Sequence, residues 1–155
     1  GRADREQDGC HVYRIDPDSG EVSRVADDFD HPNGLAFSPD ERHLFVADSG
    51  VTEGEGRPRH IRRFEVSADG RSLGRSTVFA QCPAGFFDGF RIDEQGRVWA
   101  SSAEGVQVHR PDGRLIGRVR VPEMVANVAF GGARRNRLFI CGTSSLYAVY
   151  LKING

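Results

Sequence analysis

Apolar residues along the chain come in short runs of about four to six, separated by Gly, Pro, Asp and Asn, and no stretch carries a helical period. Val12 to Ile15 and Glu21 to Val25 flank Asp16-Pro17-Asp18-Ser19-Gly20, which predicts a hairpin. Strands are expected at Leu44 to Ala47, Ile61 to Val66, Thr77 to Ala80, Val98 to Ser101, Val106 to His109 and Leu115 to Val121. Val128 to Phe130, Leu138 to Cys141 and Leu146 to Leu151 close the series. Ser49 to Arg59, rich in Gly and charge, reads as a long exposed loop. Pro111-Asp112-Gly113 reads as a turn, with Pro presetting φ and Gly supplying a positive φ.

A repeat organises these strands. Asn33-Gly34-Leu35-Ala36-Phe37, Asp88-Gly89-Phe90-Arg91-Ile92 and Ala126-Asn127-Val128-Ala129-Phe130 are each followed by a turn and a second apolar strand. Their first residues lie 55 and 38 positions apart. Periods of this size with about four strands per unit predict the blades of a β-propeller, sheets that bury their faces only by stacking around an axis. The fold class expected is therefore all-β, with about three blades of a propeller in a single incomplete domain, 1–155. The blades are expected at 33–80, at 88–121 and, with three strands, at 126–151. Residues 12–25 read as the outer two strands of an earlier blade. On this reading the chain starts in mid-blade and ends a strand short, the expectation for a truncated propeller.

Composition narrows the chemistry. The formal net charge is -1 with basic residues scattered, so no nucleic-acid or acidic-membrane footprint is expected. No apolar run approaches the roughly 20 residues of a membrane helix. Gly1-Arg2-Ala3-Asp4-Arg5-Glu6 has no apolar h-region, although a signal could be lost with residues upstream. The three cysteines Cys10, Cys82 and Cys141 fit no zinc spacing and suit a reducing, cytoplasmic compartment. Cys141 reads as a small buried strand residue. Lys152 is the single lysine, which argues against Schiff-base chemistry and excludes a P-loop, and no Gly-x-Ser-x-Gly elbow is present. Asp16-x-Asp18-x-Gly20 has its Gly one position early for an EF-hand loop, and Gly54-Glu55-Gly56 lacks the third Gly of a dinucleotide site.

His31-Pro32-Asn33-Gly34-Leu35-Ala36-Phe37-Ser38-Pro39-Asp40 and Leu44-Phe45-Val46-Ala47-Asp48-Ser49 resemble the gluconolactonase family, which includes senescence marker protein (regucalcin) and luciferin-regenerating enzyme. The resemblance continues at Asp88-Gly89-Phe90-Arg91-Ile92-Asp93, at Gly96-Arg97-Val98-Trp99-Ala100-Ser101 and at Asn127-Val128-Ala129-Phe130-Gly131-Gly132, in the family's order. It covers the chain from about Val12 to Leu151 and corresponds to the C-terminal part of the family's six-bladed propeller. It implies a hydrolase of sugar-type lactones with one axial divalent cation, Ca²⁺ first, with Mg²⁺, Mn²⁺ or Zn²⁺ as alternatives. It also implies that Asn33 and Asp88 are metal ligands.

The residue types agree with that chemistry. Equivalent first residues of successive inner strands converge on the axis, where Asn33 offers a carboxamide oxygen and Asp88 a carboxylate, both hard donors. Ala126 supplies none. A bound cation would polarise a lactone carbonyl, and Asp88 beside it would act as general base. The family's remaining ligands, a Glu from the first blade and a further Asn from a middle blade, have no counterpart here. This chain alone is thus expected to be inactive, needing the absent N-terminal half or self-association to cover its open blade faces.

A plainer reading stands beside this one: Asn-Gly and Asp-Gly pairs before a strand serve as turns that tolerate positive φ. Phe87 departs from the family's Pro before Asp-Gly, and either packs or lines the substrate mouth. His31 lies near that mouth. Asp40, Asp48 and Asp93 read as structural, and Trp99 as core between blades. The alternative function is a non-enzymatic propeller that binds a metal ion, a small ligand or a protein partner.

Overall fold

The computed structural model of the chain describes residues 6–155, and among these every regular element but one short 3-10 turn is a β-strand. β1 (Cys10–Ile15) pairs with β2 (Val22–Phe29). A four-stranded sheet follows, built in sequence order from β3 (Pro32–Phe37), β4 (His43–Asp48), β5 (His60–Val66) and β6 (Leu73–Gln81). The next sheet holds β7 (Phe90–Ile92), β8 (Val98–Ser102), β9 (Gly105–His109) and β10 (Leu115–Arg120). The last holds β11 (Val125–Gly131), β12 (Arg137–Gly142) and β13 (Leu146–Tyr150). All neighbours are antiparallel, so each sheet is a meander, its strands joined by short turns except for the longer Ser49 to Arg59 segment between β4 and β5.

The sheets stack face to face, and the burial patterns follow from that stacking. β8 and β9 are buried at every position because their sheet is covered on both sides. Between this sheet and the preceding one lie Phe45, Ile61, Phe87, Phe90 and Val98. On its other face Trp99, Val106 and Val108 meet Val128, Leu138 and Ile140 of the last sheet, so Trp99 does sit in core between sheets. Val12 and Phe29 pack on Leu44, Val46 and Phe64. The two outermost sheets are covered on one side, and they carry exposed apolar residues such as Ile15, Val22, Leu146 and Tyr150.

Two expectations need correction. Cys141 is exposed. Strand alternation turns Leu138 and Ile140 into the core, so Cys141 points to the uncovered face of β12. The Ser49 to Arg59 segment is not wholly an exposed loop. Ser49 and Gly50 are buried, and a 3-10 turn covers Gly50–Glu53. It is held down because the Asp48 carboxylate accepts the Gly50 N–H at 3.1 Å and the Val51 N–H donates to the Pro58 carbonyl at 2.8 Å.

His109, at the end of β9, is 2% exposed and lies between the rings of Phe79 and Phe87. Its Nδ1 lies 3.0 Å from the Gly113 carbonyl, while the buried Nε2 has no partner, which fixes the neutral Nδ1–H tautomer. Burial pushes its pKa below the ordinary value. The unfolded chain therefore takes up a proton near pH 6.5 that the folded chain resists, and stability falls as pH drops through that range. The urea midpoint should decrease between pH 7.5 and pH 5.5, and less so in His109→Phe. An equal decrease in both proteins would assign the effect elsewhere.

Candidate functional site

The three inner strands β3, β7 and β11 run side by side, and their first residues meet at one end of the hub. Two backbone bonds tie them together: the Gly34 N–H donates to the Asp88 carbonyl at 3.2 Å, and the Gly89 N–H to the Ala126 carbonyl at 2.8 Å. The same bond thus recurs from each inner strand to the next. It requires the backbones to come very close. A Cβ on Gly34 would lie 2.3 Å from the Asp88 carbonyl oxygen, and one on Gly89 would lie 2.3 Å from the Asn127 side chain. Neither glycine is in the left-handed region. The Asn-Gly and Asp-Gly pairs therefore owe their glycines to close approach rather than to a positive-φ turn.

This predicts a difference between two similar substitutions. Gly34→Ala pushes against backbone and should cost about 1–3 kcal/mol. Gly89→Ala pushes against a side chain, so Asn127→Ala should relieve much of its cost. Urea unfolding of the single and double variants measures both effects. Equal relief of the two glycine variants by Asn127→Ala would contradict the geometry.

Asn33 and Asp88 are brought together at this end of the hub. Asn33 is exposed and Asp88 half-buried. Burial pushes the Asp88 carboxyl up from its ordinary value, and hydrogen bonding from the neighbouring Asn33 amide partly offsets this. Among the described residues no Lys, Arg or His comes within ion-pair distance of the Asp88 carboxylate. A half-buried carboxylate without a cationic neighbour, beside a carboxamide, is a donor set that suits a hard divalent cation. Two donors are only part of a shell that takes about 6–8 oxygens for calcium. Among the described residues no group of three or more His, Cys, Asp or Glu could hold a metal ion.

Two serines at the hub were not singled out from the sequence. Ser49 Oγ donates to the Phe87 carbonyl at 3.0 Å and accepts from Asn33 Nδ2 at 3.1 Å. Ser101 Oγ donates to the Ala126 carbonyl at 3.2 Å and accepts the Asp88 N–H at 3.2 Å. Each hydroxyl links a hub residue of its own sheet to the backbone of the next sheet. The available signal was their position at the end of a second strand, after Ala47-Asp48 and Trp99-Ala100. Asn127, whose side chain covers Gly89, was likewise passed over.

The other residues considered lie apart from this pair or serve the backbone. Phe87 is fully buried in the core between sheets and lines no mouth. His31 is part-exposed on the same side, its Nδ1 3.9 Å from Glu53, and its N–H is held by Asp48 at 2.9 Å. Asp48 also accepts from the Asp30 N–H. Asp93 accepts from Arg97 Nε at 2.7 Å and Trp99 Nε1 at 2.8 Å, and Asp40 accepts from Ser38 Oγ and the Arg42 N–H. Cys10, Cys82 and Cys141 are free thiols. No helix among the described residues is long and apolar enough to cross a membrane.

Comparison with known proteins adds to this geometry. Residues 2–144 match the family described as SMP-30/Gluconolactonase/LRE-like region. A gluconolactonase of Zymomonas mobilis is 30% identical over 153 residues, a match that takes in 93% of this chain and 41% of that protein. The solved structure of a gluconolactonase from Xanthomonas campestris superposes with a TM-score of 0.84 at 40% identity, covering 96% of this chain and 47% of that one. A calcium-binding regucalcin from Agrobacterium tumefaciens superposes with a TM-score of 0.77 at 23% identity, which speaks for the fold alone. The chain thus spans less than half the length of the gluconolactonases it matches.

Proposed function

The chain belongs to the SMP-30/gluconolactonase/LRE-like family, and from that premise we propose that the protein is a hydrolase of sugar-type lactones with a divalent cation, Ca²⁺ first, held partly by Asn33 and Asp88. The observation that supports this most is the meeting of the Asn33 amide with a half-buried Asp88 carboxylate lacking an ion pair among the described residues, at the hub end of adjacent inner strands. The gluconolactonase names of the Zymomonas and Xanthomonas relatives supply the substrate class.

When bound, the cation would supply Lewis acidity toward the lactone carbonyl and the developing oxyanion. Asn33 Oδ1 and an Asp88 oxygen would hold it. The Asp88 carboxylate would take a proton from the attacking water. Water adds to the carbonyl carbon, the ring C–O bond breaks, and the proton passes to the departing ring oxygen, giving the open-chain hydroxy acid. The exposed apolar residues of the first and last sheets would be covered in the working protein by further sheets or by a second copy. The three free thiols favour a reducing, cytoplasmic setting.

The test is acid release from a sugar δ-lactone, followed at constant pH with full-length protein, before and after chelation and again after Ca²⁺ is restored. Activity lost with the chelator and recovered with the cation is expected. Cation binding without any lactone or ester hydrolysis would favour the non-enzymatic propeller instead.

A further inference from the structure

We propose that Ser49 is a positioning residue that sets which end of the Asn33 carboxamide is available to a cation. This rests on the reading of Asn33 and Asp88 as cation-binding residues.

A serine hydroxyl carries one proton. The Phe87 carbonyl can only accept, and it lies 3.0 Å from Ser49 Oγ, so that proton is directed to Phe87. Ser49 Oγ can then only accept from Asn33, and the Asn33 atom 3.1 Å away must be the amino group. The carboxamide is thereby oriented with Nδ2 toward Ser49, the amino group also interacting with the Asp88 carboxylate, and with Oδ1 accepting from no described residue. An amide turned the other way would require Ser49 to donate to Oδ1 and abandon Phe87. The cation would then face an amino group, which cannot ligate it.

The serine is itself held firmly. It is 1% exposed. Its N–H donates to the His31 carbonyl at 2.9 Å, and its carbonyl accepts from Thr52 Oγ1 at 2.8 Å. Ser101 repeats the logic one sheet on, its proton directed to Ala126 and its oxygen accepting the Asp88 N–H. There the link fixes backbone. Asn33 is the case in which it chooses between the two ends of a side chain.

The experiment is calorimetric titration of calcium chloride into full-length protein, unmodified and with Ser49→Ala, each in two backgrounds, Asn33 and Asn33→Asp. Circular dichroism checks that each variant is folded. Loss of a residue that orients a metal ligand weakens binding by about 10–100-fold, and that range is expected for Ser49→Ala beside Asn33. A carboxylate has oxygen at both ends and needs no such choice, so beside Asp the same change should alter affinity by less than about threefold. Unchanged affinity in the Asn33 background overturns the proposal, as does an equal loss in both, which would be a purely structural effect through Phe87. If Asn33→Asp does not fold, Ser49→Thr, which keeps the hydroxyl, replaces that arm. It should bind within about threefold of the unmodified protein, and binding as weak as that of Ser49→Ala refutes the idea. Absence of calcium binding by the unmodified protein would overturn the cation centre itself, whereas the serine comparison fails only where that binding is present.

Discussion

Asp88→Asn should lower lactone hydrolysis by about 10²–10⁴-fold, the usual contribution of a positioned general base, without lowering the melting temperature. The two effects separate because Asp88 serves the fold and the chemistry through different atoms. Its carbonyl receives the Gly34 N–H and its own N–H is held by Ser101, and the substitution leaves both in place. Its carboxylate is half-buried with a raised pKa, so at neutral pH it is a charge the fold holds at a cost. With the cation chelated, a neutral isostere removes that cost, so a small gain in melting temperature is expected under that condition, alongside the activity lost when the cation is present. Parallel measurement of kcat/KM and thermal unfolding on full-length protein decides it. Activity within a few-fold of the unmodified protein's would remove Asp88 from the proposed chemistry.

Phe87→Ala should be the most destabilising single change near the hub, by about 3–5 kcal/mol. The ring is fully buried between sheets, beside Ile61 and Phe90 and edge-on to His109 at a centroid distance of 5.8 Å. A domain of this kind is stable by only about 5–15 kcal/mol in all. Its carbonyl accepts from Ser49 Oγ and Asp88 follows it directly in the chain, so the loss falls on the segment that carries the Asp88 side chain. Urea denaturation gives the magnitude, and a loss below about 1 kcal/mol would show that the site collapses without consequence. The resembling family usually has a proline before its Asp-Gly pair. Here a buried ring takes the place of that backbone constraint, holding the approach to Asp88 by packing.

The all-β class was legible in the sequence because apolar runs of strand length, punctuated by Gly, Pro, Asp and Asn, report local periodicity directly. The recurrence of Asn33-Gly34, Asp88-Gly89 and Ala126-Asn127 at the starts of inner strands was legible for the same reason. The recurrence alone fits turn residues equally well, and the ligand role of Asn33 and Asp88 is what the family resemblance implies. Alternation also told which residues of a strand share a face. It could not tell which faces are covered. Cys141 falls on the open side of β12, and the residues of β8 are buried on both sides, because burial depends on whether another sheet lies against that face. The glycines of the repeat, the bonds made by Ser49 and Ser101, and the placement of Phe87 were likewise decided by tertiary structure. Each depends on an atom dozens of residues away along the chain, brought within bonding distance only when sheets stack around a common hub.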